Sequence, residues 1–396
     1  MRIAIFDYQM PPNNAISQCI QRLILAQCEE HEFTVFAIAY DNPRPDRIQF
    51  VRVPAIQWPL FVLFLTYHIM ACLVYGWYRL RTGHKFDVIQ SVESNTLMGT
   101  LIYSQFCHRA YLDHHWAATR PTGLRRWARW LDHQLHALIE PFAYNKAKWI
   151  VVPSHGLAKE LQETYPQTAD KVRIITNPIS MADMLSRDGY DQVAQRRKWG
   201  FEADDLVMVF AALGHFERKG LPLLLQAMQQ VKQQAKQQQT IPSSALKLIV
   251  VGGSEKTLIA YQQMSETLGL MDDVVFVGMQ PDIRPFLWMG DLFVFPSLYE
   301  TFSMVCYEAA AAGLPLLVSS LYGVEDMLKN GYNGWNIART VDAYAEKIAY
   351  SLTHRQELRQ MGQRAIASAQ SADVHHFIEG WRHQYQSIAQ DLSRTH

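Results

Sequence analysis

The chain has 396 residues, too many for one hydrophobic core of ordinary size, so two or three domains are expected. With 49% hydrophobic and 12% aromatic residues the composition is globular, which excludes a mainly disordered chain. Lys+Arg and Asp+Glu both number 37, and a formal charge of zero lacks the basic excess of a dedicated nucleic-acid binder.

Neutrality hides an asymmetry. Residues 1–177 carry 18 basic and 14 acidic side chains, whereas 178–396 carry 19 and 23. Within 44–130 the count is 11 basic to 4 acidic, so the amino-terminal half is the one expected to meet something anionic. Only 19% of residues are charged, below the usual quarter, which points to surface facing something other than water. The five cysteines (Cys19, Cys28, Cys72, Cys107, Cys306) contain no CxxC pair and fit neither a disulfide framework nor a zinc pattern. A reducing, cytoplasmic compartment is the expectation.

The opening MRIAIFDY reads as a strand, since it lacks the apolar stretch and small-residue cleavage site of a signal peptide. Ile3–Phe6, Thr34–Ala39, Val88–Gln90, Leu101–Phe106 and Trp149–Val152 are strand-like and alternate with helical patterns. Trp58–Trp77 has no Lys, Arg, Asp or Glu and is about as long as a membrane span. It contains Pro59, His68 and two tyrosines, and a span there would cut an α/β domain in two, so a buried or interfacial helix is expected. Further on, Arg120, Arg125, Arg126 and Arg129 lie beside Trp116, Trp127 and Trp130. This segment has two readings: an arginine-rich face docked on an anionic membrane, or a core stripe of Trp127, Trp130, Leu131, Gln134, Leu135 and Leu138.

The polar stretch from Asn177 to Asp205, opening with Asn177-Pro178, marks a domain boundary. Beyond it Val207–Ala211, Leu246–Val251, Val274–Val277, Leu292–Phe295 and Leu314–Val318 read as strands, each followed by a helical stretch. The glutamine-rich tract Gln229–Gln239 reads as a solvated helix end. The expected fold class is α/β, with two Rossmann-like domains whose parallel sheets face a central cleft. The expected divisions are 1–177, 178–372 and a last helix, 373–396, packing back towards the first domain.

The most informative stretch is Phe295-Pro-Ser-Leu-Tyr-Glu300-Thr-Phe-Ser-Met-Val-Cys-Tyr-Glu308-Ala-Ala-Ala-Ala-Gly313-Leu-Pro315. A strand ends near Pro296, Ser303 to Ala312 is helical in pattern, and Gly313 stops it. The amides of Ser303, Met304 and Val305 would then form a helix amino terminus suited to phosphate oxygens. Glu308 lies about 7.5 Å along that helix, roughly the distance from a bound diphosphate to its own ribose. Glu300, ahead of the helix, falls where a transferred sugar would sit. A carboxylate suits both places because it accepts two hydrogen bonds from vicinal hydroxyls.

The two glutamates, the small-residue helix and Gly-Leu-Pro resemble the family 4 glycosyltransferases, retaining enzymes of the GT-B fold. Phe216-Glu-Arg218-Lys219-Gly220 is similar to the family's basic motif, Val250-Val-Gly252-Gly253 to its second-strand glycine turn, and Val275-Phe-Val277-Gly278 to its base-binding turn. Val151-Val-Pro-Ser154 and Lys171 to Pro178 are similar to the segments closing the first domain. The resemblance implies that Arg218 and Lys219 neutralise the diphosphate of a nucleotide sugar and the charge growing on the leaving group. It further implies ribose at Glu308, sugar hydroxyls at Glu300, the base near Gly278, and donor sugar or acceptor at His108 in Cys107-His108-Arg109.

The family pattern implies no metal and no cofactor, the nucleotide sugar being a substrate. Asp113, His114 and His115 are accordingly not expected to hold a metal, since adjacent histidines diverge on a helix. One departure concerns the loop after the first strand, where the family has a glycine pair and this chain has Pro11-Pro12-Asn13-Asn14-Ala15. Asn13-Asn14 is expected to replace that turn in left-handed geometry. The basic motif is also compact, with His215 where some relatives place an arginine.

The expected activity is retaining transfer of a sugar from a nucleotide diphosphate, a UDP-sugar, to a hydroxyl acceptor such as a membrane lipid or envelope polysaccharide precursor. The expected location is cytoplasmic, peripheral on the inner face of a membrane. The alternatives are a non-catalytic sugar-nucleotide-binding subunit and a same-fold nucleotide-sugar epimerase.

Overall fold

The computed structural model describes residues 1–11, 14–119, 125–238 and 245–395. It divides into two compact units, Met1–Pro178 with Val374–His396, and Ile179–Asp373.

The first unit is built on seven parallel strands: β1 (Arg2–Phe6), β3 (Glu32–Ala37), β5 (Ile48–Arg52), β6 (Val88–Val92), β7 (Leu101–Tyr103), β8 (Trp149–Val152) and β9 (Val172–Ile174). Their order is β5-β3-β1-β6-β7-β8-β9, and β2 (Gln9–Met10) and β4 (Ala39–Tyr40) form a separate parallel pair. Ile3, Ala4, Ile5 and Phe6 are all fully buried, as expected of a central parallel strand covered by helices on both faces. Three helices matter below: α1 (Ala15–Gln27), α2 (Leu60–Thr82) and α3 (Arg125–Lys146). A fourth helix of this unit, Val374–Thr395, buries Phe377, Trp381, Tyr385 and Ile388. The Tyr385 hydroxyl donates to Gln90 Oε1 at 2.6 Å, and Trp381 packs edge-on against Tyr103.

The second unit has six parallel strands: β10 (Leu206–Ala211), β11 (Leu246–Val251), β12 (Val274–Gly278), β13 (Leu292–Phe295), β14 (Leu316–Val318) and β15 (Gly334–Asn336). Their order is β12-β11-β10-β13-β14-β15. Strand order therefore reverses between β1 and β6 in one sheet and between β10 and β13 in the other. Loops leaving the carboxyl ends at such a switch point splay apart and leave room for a ligand.

The structure corrects several expectations. The strand expected over Leu101–Phe106 stops at Tyr103, and β14 begins at Leu316 because Pro315 cannot donate to a ladder. Asn14 is not left-handed: its φ is −100°, and its Oδ1 caps α1 by accepting from the amides of Ile16 and Ser17 at 2.9 and 3.1 Å. Pro12 and Asn13 lie outside the described residues. The stripe proposed as core on α3 is instead turned outward, with Trp127 and Leu138 exposed and His136, Ala137, Glu140, Ala143 and Tyr144 on the buried side. Arg120 and the side chain of Arg125 lie outside the described residues.

Candidate active site

In the second unit the loop after β10 runs through His215, whose φ of +56° is left-handed, into a one-turn helix Phe216–Lys219 closed by Gly220. Gly220 has φ +85°, and a Cβ there would stand 2.1 Å from the Pro296 carbonyl oxygen. Only glycine lets the basic loop lie this close to the loop after β13. The Leu298 amide then donates to the Arg218 carbonyl at 2.9 Å, stitching the two loops together across the switch point.

The side chains follow. Lys219 Nζ lies 2.5 Å from Glu300 Oε1, Arg218 reaches the same oxygen at 3.3 Å, and Ser297 donates to it at 2.8 Å. Arg218 also donates to the Tyr299 carbonyl, and Lys219 sits 5.1 Å from the centre of the Phe295 ring. Burial raises the Glu300 carboxyl, but Lys219 and Arg218 outweigh it and hold its pKa below the usual range. Sequence spacing could not have shown that the carboxylate assigned to sugar and the cations assigned to phosphate pair with each other.

Beyond this triad, α4 (Met304–Ala311) starts with Ser303 as its N-cap residue, and the Ser303 hydroxyl turns to Cys306 Sγ at 3.2 Å rather than capping an amide. The first-turn amides, those of Met304 and Val305 among them, have no partner within the helix and carry the positive end of its dipole. Glu308 is a half-buried residue one turn further along. On the other side of β10, Gly252 has φ +99° and a Cβ there would meet the Ala212 carbonyl oxygen at 2.0 Å. Its amide donates to the Gly278 carbonyl at 2.7 Å. A groove of about 430 Å³ opens beside this pair, lined by Gly253, Ser254, Leu258, Val277, Gly278 and Met279 among others.

The first unit has its own polar centre. His108 is buried at the start of a short helix whose first two amides, His108 and Arg109, donate to Glu140 at 2.6 and 3.1 Å. Its Nε2 lies 3.2 Å from Glu93 Oε2, its Nδ1 2.9 Å from His133 Nδ1, and its ring stacks on His136 with centres 4.1 Å apart. This arrangement is satisfied when His108 carries both ring protons and His133 is neutral. Burial alone would lower the His108 pKa, but Glu93, Glu140 and Asp132 overcome it and raise it. His133 is correspondingly pushed down to about 3, by burial first and then by His108.

At the switch point itself Asn95, after β6, donates to Asp7 Oδ1, after β1, at 3.3 Å. Burial pushes Asp7 up to about 7. Glu93 holds φ +51°, a left-handed conformation that costs a glutamate about 1 kcal/mol or more. Asp7, Glu93, Asp132, His133 and His136 were not singled out from the sequence. Asp7 directly follows one strand-like run and Glu93 lies three residues past another, and the switch-point rule applied to those runs would have led to them. Among the described residues no three His, Cys, Asp or Glu side chains are arranged to hold a metal ion.

Two family models match the chain. Glycosyltransferase Family 4 matches residues 16–183, and glycosyl transferases group 1 matches residues 191–368. An uncharacterized glycosyltransferase of Methanocaldococcus jannaschii is 26% identical over 359 residues, covering 87% of each chain. Among solved structures, WaaG, a glycosyltransferase involved in lipopolysaccharide biosynthesis, superposes with a TM-score of 0.73 at 16% identity, covering 95% of this chain and 97% of that one. HepE of Anabaena in complex with UDP-glucose superposes with a TM-score of 0.71 at 18% identity over the whole of both chains. With both halves matched in order and the fold shared throughout, the chain belongs to the family 4 glycosyltransferases and has the GT-B fold.

Proposed function

We propose that this glycosyltransferase moves a sugar from a UDP-sugar to an acceptor hydroxyl with retention of anomeric configuration and without a metal ion. The observation that carries the reading is the union of Arg218, Lys219 and Glu300 at the switch point between β10 and β13. Without donor, the carboxylate and the two cations satisfy one another. A bound diphosphate offers the cations stronger anionic partners, and Glu300 is then released to accept hydrogen bonds from sugar hydroxyls. The amino terminus of α4 adds partial positive charge, Glu308 accepts from the ribose, and the Gly278 turn with its groove receives the base. The complex of HepE with UDP-glucose supports UDP as the nucleotide.

The reaction breaks the bond between the sugar anomeric carbon and the diphosphate oxygen and forms one from that carbon to the acceptor oxygen on the same face. The hydroxyl proton passes to the departing phosphate. Arg218 and Lys219 stabilise the charge that develops on the leaving group, the task a divalent cation performs elsewhere. His108, an imidazolium whose two N–H groups rest on Glu93 and His133, donates to an oxygen of the sugar or acceptor by exchanging one of those partners for it. We place the enzyme in the cytoplasm at the inner face of a membrane, acting on a lipid-linked or envelope-polysaccharide precursor. The lipopolysaccharide role of WaaG supports that acceptor class, and the five free cysteines support a reducing compartment.

A thermal-shift screen against nucleotide sugars tests the donor. A ligand that binds only the folded state raises its stability by mass action, so UDP and one UDP-sugar should raise the melting temperature. Glu308→Ala should abolish most of that shift. A response confined to other nucleotides overturns the donor assignment. Donor isomerised without any acceptor indicates the epimerase, and binding without turnover on any acceptor indicates the binding subunit.

A further inference from the structure

Helix α2 is 23 residues long, about 34 Å, and contains no acidic residue. One face packs on the first unit's sheet through Leu63, Phe64, Tyr67, Ala71 and Tyr78. That face is fixed by polar bonds as well: Tyr67 donates to the Phe36 carbonyl at 2.8 Å, Tyr78 to Gln49 Oε1 at 2.7 Å, and the His68 ring contacts the Ser94 carbonyl at 3.0 Å. A helix anchored in this way along its length cannot cross a bilayer while the unit stays folded. Yet only 22% of its most apolar window is buried. Leu65, Ile69, Leu73 and Trp77 recur every four residues on the opposite face, followed by Leu80, and they are 47%, 61%, 61%, 58% and 88% exposed.

Helix α3 lies alongside, with Phe64 of α2 against His136 of α3 at 4.5 Å between ring centres. It too turns an apolar stripe away from its packed side: Trp127, Leu131, Leu138 and Phe142. Cys72, exposed on the outer flank of α2, and Lys146, exposed at the end of α3, belong to these two packed helices. Soluble monomers rarely leave so much contiguous apolar surface open without a use.

The charges around this surface identify what covers it. Arg79, Arg81, His84 and Lys85 are exposed at the carboxyl end of α2, and Lys146 and Lys148 at that of α3. Arg81 lies 5.1 Å over the Trp77 ring, the pairing of an aromatic body and a cationic head found at a membrane interface. Of the carboxylates of α3, Glu140 is buried and accepts from the His108 and Arg109 amides and the Tyr165 hydroxyl, and Asp132 is half-buried. A second copy of this chain docked on the same face would bring its own basic rim against this one. An anionic bilayer surface complements both the apolar stripes and the rim.

We infer that the outward faces of α2 and α3 form a monotopic docking surface that lies in the interfacial plane of an anionic membrane. Apolar burial supplies the attachment, and the Arg and Lys rim supplies the preference for anionic headgroups, each charge being worth about fivefold in partitioning. This does not depend on which donor the enzyme uses.

The test is co-sedimentation of the full chain with vesicles of phosphatidylcholine alone and with one-third phosphatidylglycerol, at low and high salt. Wild type should bind the anionic vesicles at low salt, at least tenfold more tightly than the neutral ones, and salt should reduce the difference. Ile69→Glu with Leu73→Glu should lose binding to both vesicles. Arg79→Ser, Arg81→Ser and Lys85→Ser together should lose the anionic preference, by roughly a hundredfold. All these side chains are exposed, so the variants should keep the wild-type circular dichroism and UDP-induced thermal shift. No binding by wild type, binding indifferent to lipid charge and salt, or an unaffected Ile69→Glu/Leu73→Glu variant overturns the inference. So does a wild-type dimer that this variant dissociates, which would make the face a contact between copies.

Discussion

The Lys219 ammonium and the Glu300 carboxylate meet at 2.5 Å across the switch point of the second sheet, joined by Arg218. If this is the donor site, as proposed, the pair neutralises it in the free enzyme and a diphosphate must displace a carboxylate to enter. Glu300→Gln removes that competitor while keeping the shape. UDP should bind at least as tightly as to wild type, and turnover should fall because the sugar loses its charged acceptor. Lys219→Ala should lower kcat by about a hundredfold to a thousandfold, the loss expected for one preorganised charge donor. Calorimetry with UDP and steady-state kinetics separate the two effects, and weaker UDP binding in Glu300→Gln would refute the exchange.

His108 resides in the other unit, so its removal should leave the nucleotide site intact. His108→Ala should hold UDP affinity within a few fold and cut transfer by at least tenfold. Glu93→Gln, which keeps the hydrogen bond but not the charge that raises the His108 pKa, should move the alkaline limb of the pH–rate profile to lower pH. A purely structural role for His108 would instead lower UDP affinity and turnover together.

Gly220 and Gly189 both hold left-handed φ, +85° and +70°, but only Gly220 faces backbone, at Pro296. Gly189→Ala should cost about 1 kcal/mol from the conformation alone. Gly220→Ala should cost several times more and also reduce UDP binding, because the clash pushes the Arg218–Lys219 loop away from Glu300. Urea midpoints of the two variants measure this, and equal midpoints would contradict it.

Asp7 predicts a pH dependence of stability. Burial raises its carboxyl from the ordinary 3.8 to about 7, so between these pH values the unfolded chain binds fewer protons than the folded one. Stability attributable to Asp7 is thus present below its unfolded pKa and is lost as pH rises to about 7, with a ceiling of about 4 kcal/mol. His108, also raised, acts in the same direction at higher pH. His133, lowered to about 3, acts oppositely and costs stability as pH falls below its unfolded value. Asp7→Asn can still accept from the Tyr8 and Asn95 donors and should gain on wild type steadily as pH rises through this window. Parallel stability curves for the two proteins would rule out the charge-burial account.

Of the proposed donor site, the separate motifs were legible in the sequence because each is local: Glu300, the Ser303–Val305 turn and Glu308 lie within nine residues, and Arg218-Lys219 ends on a glycine. Their union was not, because Glu300 lies 82 and 81 residues from Arg218 and Lys219. The polar centre of the first unit was not, because Asp7, Glu93, His108 and His136 meet only through the parallel pairing of β1, β6 and β7 and the packing of α3. Strands β5 and β15 escaped notice for different reasons. Residues 48–52 mix Gln49 and Arg52 with apolar residues at the sheet edge, and Gly334–Asn336 is too short to show a period. The Trp58–Trp77 run announced an apolar helix, and composition could not tell which of its faces would be covered.

The most direct test of the account is proton NMR of the glycoside formed from a UDP-α-sugar and its acceptor in excess chelator. The coupling between H1 and H2 of a gluco-configured sugar separates the anomers. The account predicts undiminished transfer and an α-linked product, since Arg218, Lys219 and the α4 terminus supply the charge and attack comes from the face the diphosphate leaves. A β-linked product, or transfer abolished by the chelator and restored by a divalent cation, would contradict it.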